Sequence, residues 1–158
     1  MTLKKLMETL AEKLELTDVA LTEDGSAQIL FDGVHEVEIH AHDERPGFGL
    51  SASVGPMPED DEERAEACLY LLEGNLLGDA TNGAALSLDP ERGEIVLCRS
   101  INQVEISYEA FEAELAGFLA ALRAWKGEDA AGETGVGAAA DTTDLPDGAA
   151  AQAAMVRV

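Results

Sequence analysis

"LSLDPERGEIVLCRSI", residues 86–101, contains two short apolar runs separated by a polar turn. Pro90 suits the second position of a tight turn because its ring fixes φ, and Gly93 accepts the positive φ with which such a turn ends. We therefore predict a β-hairpin with strands over residues 85–89 and 94–100.

The second strand of this hairpin is apolar on both sides. Successive side chains of a strand point to opposite faces, so Ile95 and Leu97 share one face and Val96 and Cys98 share the other. If the first pair faces the protein's own helices, the second pair needs a different covering surface.

Three further segments with period-two alternation precede the hairpin. They are "DGSAQILFDG" at 24–33, "HEVEIHAHD" at 35–43 and "GFGLSASVG" at 47–55. Alternation of apolar and polar residues indicates strands, and the Asp-Gly and Pro-Gly pairs between them indicate turns. The three segments predict an antiparallel meander.

Three helices complete the predicted fold. Leucines recur at helical spacing over 2–15 behind Thr2, a candidate N-cap, and a second helix is expected over 59–77 after a run of acids. A third helix, capped by Ser107, carries a broad apolar stripe that ends at Trp125. The predicted fold class is α+β, in the order α-β-β-β-α-β-β-α, with a twisted, five-stranded and mostly antiparallel sheet.

The second helix carries more apolar surface than one contact requires. Its stripe consists of Ala65, Cys68, Leu69, Leu72 and Leu76. Leucines at 71 and 77 lie off that stripe, so the helix is apolar around much of its circumference. A second burial partner is therefore expected.

Composition divides the chain into a domain over 1–126 and a flexible, acidic tail rich in Ala and Gly over 127–158. The formal net charge of −22 repels phosphate backbones and anionic headgroups, which argues against nucleic acid and membrane partners. The chain contains neither an apolar stretch of signal-peptide length near its N-terminus nor a stretch long enough to span a membrane, so a cytoplasmic protein is expected.

No pattern in the sequence predicts catalysis or a cofactor. His40 and His42 share a strand face and could ligate a metal, but their alternation with apolar residues favours a solvated polar face. Cys68 and Cys98 lie in apolar surroundings without the spacing of a zinc or redox motif, which favours buried free thiols. We expect no metal site and no enzyme activity.

Two longer segments carry a resemblance to a known family. The segments "LLEGNLLGDATNGAALSLDPERGEIVLCRSI" at 71–101 and "YEAFEAELAGFLAALRAWK" at 108–126, together with the element order and the acidic balance, are similar to type III secretion chaperones. The group is class I, the Tir-chaperone (CesT) family, and the resemblance covers residues 1–126.

The resemblance implies a homodimeric, non-enzymatic chaperone in the cytoplasm of a Gram-negative bacterium. It would bind the N-terminal region of one or more effectors in extended form, by strand addition and apolar anchors, and deliver them to the secretion apparatus, with the secretion ATPase as a further partner. The residues that it implies for the dimer interface are Leu69, Leu72, Leu76, Leu86, Leu88, Val96 and Cys98. Those implied for cargo binding are Leu3, Leu6, Leu10, Phe31, Val37 and Ile39.

Two alternatives stay open from the residues themselves. The first is an acidic regulator or mimic that occupies the basic surface of another protein. Its binding to that protein would weaken steeply with salt. The second is a metal-binding protein that uses His40 and His42.

Overall fold

A computed structural model describes residues 1–14, 22, 25–42, 46–103 and 105–128. The predicted element order and fold class are confirmed within these residues, while the predicted tail lies outside them from residue 129 onward. The elements are α1 (Leu3–Lys13), β1 (Ser26–Phe31), β2 (His35–Ala41), β3 (Phe48–Pro56), α2 (Asp61–Gly74), β4 (Ala85–Asp89), β5 (Glu94–Ile101) and α3 (Tyr108–Trp125). Among the described helices, none is long and apolar enough to cross a membrane.

The five described strands form one sheet in the order β1-β2-β3-β5-β4. Every neighbouring pair is antiparallel, so the sheet is antiparallel throughout. β1 and β4 are therefore the two edge strands. The register places Leu97 between Ala52 of β3 and Leu86 of β4, which sets the inward face of the sheet.

The turn of the β4–β5 hairpin forms as predicted. Gly93 has a φ of 68°, in the left-handed region that favours glycine. The Asp89 side chain accepts hydrogen bonds from the backbone N–H groups of Glu91 and Arg92, at 3.0 and 3.1 Å, and so stabilises the turn from within. Ile95 and Leu97 then face the core, as expected, and Val96 and Cys98 face the opposite side of the sheet.

One core lies between the sheet and the helices α1 and α3. Both helices contribute buried side chains to the same cluster as the inward strand residues, and α1 also contacts α3. The most deeply buried large side chains in this cluster are Phe111, Phe118, Leu6, Met7, Ile39, Leu50, Ile95, Leu97, Leu122 and Val37. The opposite face of the sheet, which we call the open face, carries no helix of the described chain.

The helices α1 and α3 begin where the sequence predicted, whereas α2 begins two residues later. Ser107 Oγ accepts a hydrogen bond from Ala110 N at 3.2 Å, which confirms the cap of α3. Asp60 caps α2 by accepting from two backbone N–H groups, so the helix begins at residue 61 and not at 59, and it ends at 74 and not at 77. Thr2 occupies the N-cap position of α1, but its side chain makes no capping hydrogen bond.

The turn between β1 and β2 is tied to the C-terminal end of α3. Arg123 forms an ion pair with Asp32. Just beyond the helix, Glu128 Oε2 lies 2.7 Å from Nε2 of His35, whose ring is buried. These two contacts join the edge of the sheet to the longest described helix.

Candidate functional site

An exposed row of leucines on α2 and just after it is the most conspicuous surface of the described chain. Leu69, Leu72 and Leu76, which we call the leucine surface, are 64%, 67% and 70% exposed, and the adjoining Leu77 is 87% exposed. Soluble monomers rarely expose contiguous apolar side chains of this size without a partner.

The leucine surface points outward because α2 uses its other side to dock. The buried residues of this helix are Ala67 and Leu71, which lie off the predicted stripe. Tyr70 packs on Trp125 with ring centroids 5.2 Å apart, and Gly74 lies where a Cβ would overlap the same indole ring. The predicted stripe is therefore the outer face of α2, and the second burial partner expected from sequence is still needed.

The other four residues predicted for the dimer interface do not lie on one surface. Leu86 is 6% exposed and belongs to the core, because its strand turns this side chain inward, beside Leu97; a part for Leu86 in a dimer interface stays a prediction. Leu88 is 37% exposed near the end of β4. Val96 and Cys98 are half-buried on the open face.

Four of the six predicted cargo residues are buried. Leu6, Leu10, Val37 and Ile39 are between 0% and 3% exposed, because α1 lays its stripe on the protein's own sheet. In this conformation they belong to the core and are not the surface of an open groove. Leu3 and Phe31, the remaining two, are half-buried at the border of the core. Cargo contact by this pair stays a prediction.

The open face contains a groove of about 530 Å³. Its lining residues are Gln28, Glu36, Glu38, His40, Ser51, Ala52, Ser53, Asp89, Arg92, Glu94, Val96 and Cys98. Four carboxylates face a single guanidinium there, so the groove is acidic. Arg92 reaches across it, with Nη2 3.8 Å from Glu38 Oε2 and Nε 3.7 Å from Asp89 Oδ2.

Cys98 lies at the floor of this groove, near β4. Burial raises the pKa of its thiol, and the nearby Asp89 carboxylate raises it further, because both disfavour a thiolate. Both cysteines are free in the structure. The sequence predicted that both would be buried, but each is only half-buried. A raised pKa makes the thiol of Cys98 a weak nucleophile.

The two histidines of the open face have ordinary packing roles. Their rings lie edge to face, with centroids 5.8 Å apart. His40 covers Gly49, where a Cβ would overlap its ring, and His42 Nε2 lies 2.9 Å from Ser100 Oγ. Among the residues that the structure describes, no group of three or more His, Cys, Asp or Glu side chains could hold a metal ion.

The sequence interpretation missed three residues that shape these surfaces. Leu30 on β1, which pairs with the groove residue Glu36, is 56% exposed, and Val34 in the following turn is 64% exposed. The alternation of β1 predicted a strand but not its place at an edge of the sheet. Asn75, at the end of α2, binds the backbone of β4 through its side chain, and only the folded chain brings these two segments together.

Solved structures share this fold. A chain of the ExsC–ExsE complex aligns with a TM-score of 0.63 and 25% identity, over 79% of this chain and 94% of that chain. A chain of the HopA1–SchA chaperone–effector complex aligns with a TM-score of 0.62 and 23% identity, over 77% of this chain and 91% of that one. The fold is thus that of secretion chaperones.

Sequence comparison gives the family. The model of the Tir chaperone protein (CesT) family matches residues 5–126, and the chain belongs to this family. A Chlamydia pneumoniae protein, CPj0713/CpB0740, is 29% identical over 124 residues, which cover 78% of this chain and 92% of that protein. The resemblance noted from the sequence is confirmed, and the chain is a type III secretion chaperone that binds effectors.

Proposed function

We propose that the chain works as a homodimer that holds the N-terminal region of an effector in extended form and keeps it competent for secretion. The leucine surface carries this proposal. A chain that leaves Leu69, Leu72 and Leu76 in water gains about 1.5–3 kcal/mol for each leucine that a second copy buries.

Two further surfaces extend the proposed dimer contact. Leu88 lies at the outer end of β4, the strand that α2 contacts, so it continues the apolar row. Val96 and Cys98 are apolar residues of the open face. We propose that they contact the partner subunit, as the sequence suggested. Leu86 supports this contact only from beneath, as a core residue.

Cargo binding is assigned to the side of the molecule away from α2. Leu3 and Phe31 provide accessible apolar surface there, and Leu6, Leu10, Val37 and Ile39 form the core on which that surface rests. An extended effector segment would pair its backbone with a sheet edge and insert apolar anchors, which binds it without folding it.

Membership of the family supports the setting that we propose. The chaperone acts without catalysis, in the cytoplasm of a Gram-negative bacterium, and hands its cargo to the secretion apparatus, where the secretion ATPase is a candidate receiver. The acidic surface keeps the complex soluble while apolar segments are held.

Co-expression tests this proposal directly. The full chain is produced together with the N-terminal region of the secreted protein encoded beside it. The complex is purified, and its molar mass is measured by sedimentation equilibrium. We expect two copies of the chain with bound fragment, and the complex should survive high salt. A monomer that elutes without the fragment would contradict the proposal.

The acidic groove supports a second candidate function, the occupation of a basic protein surface. Glu36, Glu38, Asp89 and Glu94 concentrate negative charge in one concave region. Binding of this kind falls steeply as salt screens the charges, whereas apolar anchoring does not. A salt titration of the purified complex therefore separates the two functions.

A further inference from the structure

Leu77 has a left-handed backbone conformation that is uncommon for leucine. Its φ is 59°. The other residues with a positive φ in the described chain are glycines, Asp32 and Asn82, and glycine and short polar residues tolerate this region. Leucine has neither advantage, because its Cβ is crowded there and its side chain forms no hydrogen bond. The conformation therefore lowers the stability of the single chain.

The chain is fixed on both sides of Leu77. Before it, the Asn75 carboxamide bonds both backbone groups of Leu86, at 2.7 and 3.0 Å. After it, Gly78 O accepts a hydrogen bond from Gly83 N at 2.8 Å. These bonds hold the two ends of the short segment that contains Leu77, so the surrounding structure imposes its conformation.

The loop that follows Leu77 is also bonded to α3. Trp125 Nε1 donates to Ala80 O at 2.9 Å, and Asn82 Nδ2 donates to Gly117 O at 3.1 Å. Both of these α3 residues lie within the longest described helix. The leucine is therefore carried by a loop that is held against the folded domain.

Packing within the described chain does not offset the strain at Leu77. Its side chain is 87% exposed, which is the highest exposure among the large apolar residues of the described chain. The residue follows Leu76 directly, so it extends the leucine surface beyond the end of α2. Strained conformations persist where the surrounding structure holds them, and they cluster at functional sites. A partner that buries Leu77 would supply the missing packing.

We propose that Leu77 is a preformed anchor for the second subunit. The loop holds the leucine in water in the single chain, and the second copy buries it together with the leucine surface. Because the loop is already fixed, little conformational entropy is lost when the anchor is buried. A two-fold contact uses the same patch on both copies, so each dimer contains this contact twice. The inference rests on the proposed homodimer and adds to it a residue whose conformation is unfavourable in the single chain.

Leu77→Gly tests the proposal through two effects of opposite sign. Glycine adopts the left-handed region without strain, so the urea midpoint of the single chain should rise by roughly 0.5 M. The loss of the leucine should raise the dissociation constant of the dimer about tenfold, because apolar burial is lost on both copies. A residue with only a structural role in the loop would not produce the second effect.

The two effects are measured separately. The urea midpoint is compared between full chains that also carry Leu72→Glu, a change that should separate the proposed subunits. The dissociation constant is measured by sedimentation equilibrium in full chains without that change. An unchanged dissociation constant, or a midpoint that does not rise, would overturn the proposal.

Leu77→Met and Asn82→Gly are the matched controls. Methionine keeps an apolar side chain of similar volume, so the dissociation constant should stay within about twofold of the wild-type value. Asn82→Gly changes the other left-handed residue of the same loop, on the side that is bonded to α3, and should leave the dissociation constant unchanged. Weaker association in Asn82→Gly would assign the effect to the loop as a whole and count against an anchor at Leu77.

The outcomes distinguish this inference from the proposed function. If the wild-type chain sediments as a monomer, the proposed homodimer fails and the anchor fails with it. If Leu72→Glu separates the subunits but Leu77→Gly does not weaken them, the dimer stands and the anchor alone is wrong. Leu77→Gly could also lower the recovery of a co-expressed effector fragment at an unchanged dissociation constant, and that result would assign Leu77 to cargo and refute the proposal.

Discussion

α2 and α3 are both apolar over a wide face, yet they use that face in opposite ways. α3 turns its face inward and buries Tyr108, Phe111, Leu115, Phe118, Leu119, Ala121, Leu122 and Trp125. α2 buries only Ala67 and Leu71 and leaves Leu69 and Leu72 in water. The same kind of pattern therefore marks a helix that builds the core and a helix that presents a contact surface.

The largest effect is expected in α3. Phe111→Ala removes a fully buried ring that packs edge to face on Phe48, and we expect the unfolding free energy to fall by about 3–5 kcal/mol, because a cavity adds to the lost burial. Urea denaturation followed by circular dichroism measures this. Glu112→Ala, at the next position and exposed, is the control and should change little. A loss below about 1 kcal/mol for Phe111→Ala, the size of a typical surface substitution, would contradict its place in the core.

Leu72→Glu makes the corresponding test of α2. The leucine is exposed in the single chain, so the variant should fold, but a charge in the proposed contact should raise the dissociation constant of the dimer by about 30-fold, or ~2 kcal/mol. Sedimentation equilibrium gives the constant. Leu14→Glu, at an exposed leucine that is the C-cap of α1, is the matched control. If both variants associate like the wild type, the leucine surface is not the dimer contact.

Gly74→Ala tests how α2 is held against α3. A Cβ at this position overlaps the Trp125 ring, which itself donates from Nε1 to Ala80 O at 2.9 Å and cannot move freely. Overpacking of this kind costs about 1–3 kcal/mol. Trp125 is the sole tryptophan, so its fluorescence reports both the displacement and the denaturation midpoint. Gly117→Ala, with open space around its Cβ, should leave the fluorescence unchanged and raise the midpoint slightly, because alanine is favoured over glycine inside a helix by about 0.5–1 kcal/mol.

The smallest effect concerns the start of α3 and depends on pH. The pKa of Glu109 is lowered by a hydrogen bond from its own backbone and then by one from the Ser107 side chain. A lowered pKa in the folded state contributes stability above the unfolded pKa, and this contribution is lost as pH falls through the folded value. The stability difference between wild type and Glu109→Gln should thus vanish in acid; a difference that stays constant with pH would contradict it.

Much of the fold was predictable from local chemistry. Pro90 and Gly93 specified a hairpin turn that forms as expected, and the alternation of β2 placed Val37 and Ile39 on one face. Ser107 predicted where α3 begins. Each of these inferences needs only neighbouring residues, because turn geometry, strand period and capping are short-range effects.

The surfaces were less predictable, because they depend on which elements meet. Periodicity found the leucines of α2 but not that Leu71, outside the stripe, would be the side chain that docks. Periodicity also could not show that Leu6 and Leu10 would be buried in the chain's own core. Asn75 and Leu86 are close only because α2 ends beside β4, and no local pattern signals that contact.

In the proposed dimer, the acids around the leucine surface would make subunit association respond to ionic strength. Glu66 lies three residues before Leu69 and Glu73 lies four residues after it, so carboxylates border the apolar row on the same side of α2. Two copies that meet through this row bring like charges together, and counter-ions relieve that repulsion. If the proposed dimer forms through this row, its subunits pair more tightly at higher salt, and transfer into dilute buffer weakens the pairing even when no contact residue has changed.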